Sequence, residues 1–250
     1  MKPDIYVWKA RRCPVLLVVL PPALAVLSAF PDADWKLALP VCTFCGLFTL
    51  VGQLGRDRGS QLQDRLFERW GGKPTTAMLR HRESPFDQAT LATLHQWLSS
   101  VTGVPAPSKR KESASPDDAD DAYEGFVRHL RDATRDKQQF PLVFDENVSY
   151  GFRRNSLGLR PYGIGLAAVG TAAAAVGILR FHDGPRLGLA IASTAVSALL
   201  LLFWSFLVNP SWVRIPANAY AERVMEAALR MARTEAKDFG KKDEPSPVVK

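Results

Sequence analysis

The chain has 250 residues, 47% of them hydrophobic, and a mean hydropathy of −0.06, the average of an ordinary soluble protein. Yet Asp, Glu, Lys and Arg are missing from residues 13–30, 37–54, 161–179 and 187–208 and concentrated everywhere else, which implies two solvents and argues against a single soluble core. The apolar content excludes a disordered chain, the three cysteines exclude a disulfide scaffold, and the net charge of +7, dispersed along the chain, argues against a nucleic-acid partner.

The first apolar run, 13–30, follows Lys9, Arg11 and Arg12, a flank that also suits a secretory signal. Pro21 and Pro22 interrupt it, no small-x-small cleavage site ends it, and a second run follows closely, so a retained anchor is expected. The second run has 18 residues and the third 19, each near the roughly 20 needed to cross about 30 Å of hydrocarbon. The fourth, 22 residues, is the clearest, with Leu199 to Phe203 as its greasiest stretch and Trp204 and then Trp212 expected near the boundary where amphipathic rings prefer to lie.

The third run carries a small-residue stripe, Gly163, Ala167, Gly170, Ala174 and Gly177, which lets another helix approach closely. Ala190, Ser193 and Ser197 form a matching stripe on the fourth, so these two runs are expected to make a tight antiparallel hairpin. No Asp, Glu, Lys, Arg or His lies inside any run, which favours packing over conduction.

Orientation follows from the flanking Lys and Arg. The first twelve residues hold four basic residues and one acidic, and the link at 31–36 holds one basic and two acidic. Arg56 and Arg58 follow the second run, and Arg153, Arg154 and Arg160 precede the third. Both termini and residues 55–160 should therefore be cytoplasmic; the turn at 180–186, with two Arg and one Asp, is the discordant spot.

Residues 55–160 hold 17 basic and 15 acidic residues, the balance of a folded soluble module. A first helix carries Leu62, Leu66, Phe67 and Trp70 and ends at Gly71-Gly72; a second starts at Ser84-Pro85, carries Leu91, Leu94, Leu98 and Val101, and stops before Gly103. Residues 104–116 are a Pro/Ser/charge-rich loop. A third helix follows Ser115-Pro116, with Asp117, Asp118, Asp120 and Asp121 in its first turns and Tyr123, Phe126, Val127 and Leu130 on its buried face. The acidic cluster reads as capping and solvation, since no Gly-x-Asp loop of a calcium site accompanies it. Residues 140–144 read as a short extended run, and the sequon at 147–149 has no role on a cytoplasmic face. From Pro216, residues 217–239 form an amphipathic helix with Tyr220, Val224, Ala227 and Met231 on one side, followed by a flexible tail.

Three patterns could carry chemistry. Cys42-Thr-Phe-Cys45 in a four-span chain resembles the membrane thiol–quinone oxidoreductases, including the vitamin K epoxide reductase group, and the resemblance implies redox-active Cys42 and Cys45. A disulfide relay needs a second cysteine pair, however, and Cys13 should lie at the opposite face; the other reading is two small packing residues. Trp70-Gly-Gly-Lys-Pro-Thr-Thr76, followed by Arg80-His81-Arg82, could present backbone N–H groups and cations to an anion, although Pro74 after the lysine rules out a P-loop; the other reading is a helix stop and restart with solvated arginines. Tyr150-Gly-Phe-Arg-Arg-Asn155 carries juxtamembrane arginines that orient the chain and attract anionic lipid. In the sharper reading Arg153 and Arg154 join Lys73, Thr75, Thr76, Arg80, His81 and Arg82 in a ligand pocket. Nothing nominates a nucleophile or a metal site.

The strings W-G-G-K-P-T-T, L-R-H-R-E-S and Y-G-F-R-R-N resemble those of uncharacterised bacterial multi-pass inner-membrane proteins, over residues 55–160. The resemblance implies a bacterial inner-membrane setting and transfers no activity. The expectation is an all-α membrane protein: a transmembrane hairpin in 1–54, a helical cytoplasmic module at 55–160, a second hairpin at 161–208, and an amphipathic helix with its tail at 209–250. It should act without a cofactor, as a sensor or effector whose module binds a partner or an anionic small ligand while the bundle assembles in or perturbs the bilayer. Its partners would be the lipid bilayer, copies of itself or other membrane subunits, and no nucleic acid. The alternatives are the thiol–quinone oxidoreductase and a structural subunit of a membrane complex.

Overall fold

A computed structural model describes residues 5–29, 38–181 and 183–242, with side chains at 5–28, 48–181 and 183–236. Every regular element among the described residues is a helix. They are α1 (Cys13–Ala29), preceded by a π turn at Val7–Arg12, α2 (Ala38–Trp70), α3 (Pro74–Ala77), α4 (Gln88–Thr102), α5 (Lys109–Ala114), α6 (Pro116–Ala133), α7 (Pro141–Arg180), α8 (Gly184–Leu202), which widens into a π turn at Phe203–Leu207, and α9 (Pro210–Lys242). They divide into two compact units: Met1–Leu66 with Val148–Pro216, and Phe67–Asn147 with Ala217–Lys250.

The helices Val7–Ser28, Pro141–Arg180 and Gly184–Leu207 are long and apolar enough to cross a membrane, and all but the first seven residues of the second belong to the first unit. For residues 38–47 of the second apolar run the helix is described but not its side chains, so the side chains of Cys42 and Cys45 lie outside the described residues. Several large apolar side chains face outward, Leu179 and Phe206 keeping 79% and 70% of their surface exposed, while small ones line the helix contacts beside buried Val15, Leu159 and Trp204. Ala167, Ala174, Ala190 and Ser197 are fully buried and Ser193 nearly so. A methyl group on Gly163 would collide with the Trp204 ring, one on Gly170 would lie 2.7 Å from the Pro21 backbone, and one on Gly177 would lie 3.2 Å from Ala190. With lipid as apolar as leucine, this close approach is the main attraction available between helices.

A further glycine seam joins α2 to α7. A methyl group on Gly158 would meet the Gly59 nitrogen at 2.6 Å and the Gly55 carbonyl oxygen at 2.8 Å, so the two backbones touch there. Pro21, Pro22 and Pro161 sit inside their helices without ending them, as apolar helices allow when neighbours re-satisfy the freed backbone. Trp204 is fully buried beside Gly163, a glycine facing an indole being a ready-made slot for it.

The second unit has its own core. Leu94, Trp97 and Leu98 of α4 meet Tyr123, Phe126 and Leu130 of α6 and Val224, Met225 and Ala228 of α9. The N-cap of α4 is Asp87, whose Oδ1 accepts from Ala89 N–H at 3.0 Å and Thr90 N–H at 2.9 Å, rather than Ser84, whose hydroxyl donates to the Met78 carbonyl. Gly103 closes the helix at φ 70°, its N–H reaching the Ser99 carbonyl, the left-handed stop glycine suits.

Three expected boundaries move. The loop at 104–116 contains α5, capped by Ser108. Residues 140–144 are the cap and first turn of α7: Phe140 N–H bonds the Asp136 carbonyl, Pro141 takes the first helical position, and Phe140 and Val143 are both buried, a spacing of three and not two. Short apolar runs do not distinguish the two periods. Lastly, α9 begins at Pro210, not at Pro216. Asn209 caps it by accepting from Trp212 N–H at 2.9 Å, and Pro216 leaves the Trp212 carbonyl without its helical donor. Arg153 Nη1 donates to that carbonyl at 2.9 Å, with its guanidinium 4.9 Å from the Trp212 ring centre, so the proline is accommodated inside the helix.

Candidate functional site

The polar residues singled out between 70 and 83 gather at one place in the second unit. Gly71 and Gly72 end α2 at φ 82° and 131°, conformations that only glycine adopts cheaply. A methyl group on Gly72 would also lie 2.6 Å from Arg80 Nη2. The turn thus folds over Arg80, which is 3% exposed.

Arg80 is held on three sides. Its Nε donates to Asp120 Oδ1 at 2.8 Å and its Nη2 to Asp120 Oδ2, a two-pronged pair with α6. Its Nη1 donates to the Gly71 carbonyl at 2.8 Å and to Glu83 at 2.7 Å. Hydrogen bonds to Asp120 first, opposed by burial and then aided by Glu83, push the guanidinium pKa up. One of the four aspartates expected as capping and solvation is therefore a specific partner, while Asp117 and Asp118 occupy the first turn of α6.

Beside this pair lies a second buried group that the sequence did not reveal. Glu112, 3% exposed, accepts from His81 N–H at 2.7 Å, Arg82 N–H at 3.3 Å and the Tyr123 hydroxyl at 2.9 Å. Burial alone would raise its pKa, but these three donors hold it below the usual value. Burial first, and then the bond to Glu112, push the Tyr123 hydroxyl well up. His95 stacks on Tyr123 and meets His81 edge-on, its Nε2–H donating to the Leu79 carbonyl at 2.8 Å. Burial holds its imidazole below the ordinary value; the Leu79 carbonyl and Glu112 pull the other way and His81 does not. Glu112 left no signal because it stands in a run of exposed cations, Lys109-Arg110-Lys111.

The remaining candidates have these places. Lys73 pairs with Glu124 at 2.6 Å and Arg82 with Glu83 at 3.2 Å, both cations being nearly half exposed. Thr75 and Thr76 are buried, and His81 Nε2–H donates to the Pro107 carbonyl. Lys73, Thr75, Thr76, Arg80, His81 and Arg82 thus belong to the second unit, whereas Arg153 and Arg154 belong to the first. There Arg154 donates to Gln63 of α2 at 2.6 Å, alongside Arg153 on the Trp212 carbonyl. Asn155, next in line and 2% exposed, donates to the Ala10 carbonyl at 2.8 Å and ties α7 to the π turn before α1. Arg160 donates to the Trp204 and Ser205 carbonyls at 3.2 and 2.8 Å, where α8 ends and its last carbonyls lack helical donors.

Chemically, the 70–83 cluster is a clamp. It closes Arg80 between two carboxylates and leaves Lys73 and Arg82 at the surface. No group of three or more His, Cys, Asp or Glu among the described residues is arranged to hold a metal ion. No family model matches the chain, and neither a curated protein nor a solved structure matches it.

Proposed function

We propose that the chain is an integral protein of a bacterial inner membrane, with four spans in two hairpins and with both termini and the helical unit in the cytoplasm. It acts by interaction, as a sensor or effector: the helical unit receives a partner or an anionic ligand, and the bundle assembles in the membrane or perturbs it. The observation that carries this reading is the presence in one chain of three helices apolar enough to cross a membrane and a separate helical unit with its own aromatic core. The pairing of Gly163 with Trp204 and of Gly177 with Ala190 supports an antiparallel second hairpin, because the positions rise on α7 as they fall on α8. On this reading Lys73 and Arg82, the two surface cations of the cluster, meet a partner's acidic groups by exchanging their own carboxylates Glu124 and Glu83, while Arg80, His81, Thr75 and Thr76 hold the segment that presents them.

The test uses the full chain in its own membrane, carrying a photo-cross-linker at Ser84, next to Arg82. The expected result is one defined adduct that disappears in the double variant Lys73→Gln, Arg82→Gln, whose folding is preserved because Arg80 is untouched. Equal capture by that variant would remove Lys73 and Arg82 from the interaction.

A further inference from the structure

One cavity in the first unit is not used by any of the contacts above. It holds about 200 Å³ and opens between the π turn with the start of α1 and the last turns of the second apolar run on α2, Arg56 lying just beyond that run. Arg11 and Arg12 border it from one helix, and Arg56, Gln53 and Thr49 from the other. Among the described residues that line it, none is acidic. Arg56 is engaged by its exposed neighbour Asp57 at 2.8 Å, so the local balance of the four groups is positive by two.

The surroundings fit a lipid. Arg11 lies over the Tyr6 ring at 5.6 Å and Arg12 over the Trp8 ring at 5.7 Å, within reach of cation–π attraction. Trp8 and Ile5 are exposed a few residues before Arg11 and Arg12, and Leu50 is exposed six residues before Arg56, and they provide the amphipathic ring and aliphatic surface that suit the headgroup boundary. A methyl group on Gly52 would lie 3.5 Å from Val15, an ordinary contact distance, so α2 and α1 pack together there, and Val7, Val15 and Phe48 give the cavity apolar walls beside the arginines. Basic pockets between membrane helices on the cytoplasmic side are suited to phosphate headgroups, and planar guanidinium groups bind phosphate oxygens two at a time.

We infer that this cavity is a binding site for the phosphate of an anionic glycerophospholipid, with Arg11, Arg12 and Arg56 as its ligands and Gln53 and Thr49 as neutral hydrogen-bonding walls. The site rests on the membrane placement of this unit and is independent of any partner of the helical unit. The bound lipid would hold α1 and α2 together at their basic ends, so its occupancy would set the stability of that helix pair.

The test is native mass spectrometry of the full chain released from nanodiscs that contain equal phosphatidylglycerol and phosphatidylcholine. Because Arg11 and Arg12 also set orientation, the variants are Arg56→Gln alone and the charge-conserving pair Arg11→Lys, Arg12→Lys. The wild type should retain phosphatidylglycerol preferentially, and Arg56→Gln should lower that retention by about fivefold, the worth of one arginine at a membrane surface. The lysine pair should lower it too, because charge remains while two-pronged bonding is lost. Arg230→Gln with Arg233→Gln, on α9, should change nothing. Unchanged retention in both test variants would overturn the site. If soluble glycerophosphate displaced the lipid at equal concentration, the site would be one for free phosphate and the lipid assignment would fall. If no variant lost lipid while capture at Ser84 still failed in the Lys73, Arg82 variant, this inference alone would be lost.

Discussion

Arg80 shows how much a single residue can decide in the helical unit. Four of its five N–H groups are bonded, two to Asp120, one to Glu83 and one to the Gly71 carbonyl. Removing one partner of a buried pair strands the other, at about 3 kcal/mol here, the low end of the usual range because Asp120 is partly exposed. Arg80→Ala should therefore open the unit locally, seen as faster amide exchange along α6 in the full chain, with Arg80→Lys restoring little because the fork is lost. Unchanged exchange along α6 would show that the clamp is not structural.

His95 predicts a pH dependence. Its folded pKa lies below the unfolded value of about 6.5, so the unfolded chain binds more protons between the two values. Stability should then fall as pH drops below about 6.5 toward the folded pKa. Glu112, also held low, adds a second loss below the ordinary carboxyl range, again because the native state resists protonation. In His95→Gln the first of these losses should vanish from a stability–pH profile and the second should remain. The candidate cluster was legible in part: Gly71-Gly72, Lys73 and Arg80 stood out as a turn with cations. Their carboxylate partners did not, because Asp120 and Glu112 lie 40 and 32 residues from Arg80 and their neighbours are ordinary solvated charges.

Among the elements, the glycines discriminate most sharply. A methyl group at Gly158 would press on the backbone of Gly55 and Gly59, which has no side chain that can yield, whereas one at Gly165 would meet nothing within 4 Å. Gly158→Ala should cost about 2 kcal/mol by overpacking, while Gly165→Ala should be neutral or stabilising by up to about 1 kcal/mol through helix propensity. Melting of the full chain in detergent should separate the two; equal melting points would mean that α2 and α7 do not meet at this seam. The stripe on α7 was readable because it lies in an uncharged run. Gly55 and Gly59 were hidden by Arg56, Asp57 and Arg58 between them, although side chains at those three positions leave the glycine edge of the helix free. Proline misled in the same way. Pro216 reads as a helix start, but the carbonyl it frees is taken by Arg153 from another helix, a compensation that only the fold reveals.

For the whole molecule, the near-zero hydropathy resolves into two kinds of sequence. Charge-free stretches form apolar helices, and Phe67–Asn147 with Ala217–Lys250, a charge-rich part of the remainder, builds a second compact unit with its own core. The apolar helices were legible because they depend on composition over some twenty residues, which no tertiary context overrides. The number of crossings was less so, since the second run must be judged on hydropathy alone. Four crossings place both termini on one side of the membrane, and three place them on opposite sides. The decisive measurement is labelling of single cysteines by an impermeant thiol reagent in intact cells, in a chain whose native cysteines are replaced by serine, with Asp34→Cys, Ser108→Cys, Asp183→Cys and Ser246→Cys in turn. The account predicts labelling at positions 34 and 183 in intact cells, and at 108 and 246 only after permeabilisation; labelling of 34 on the same side as 108, or of 108 on the opposite side from 246, would contradict it.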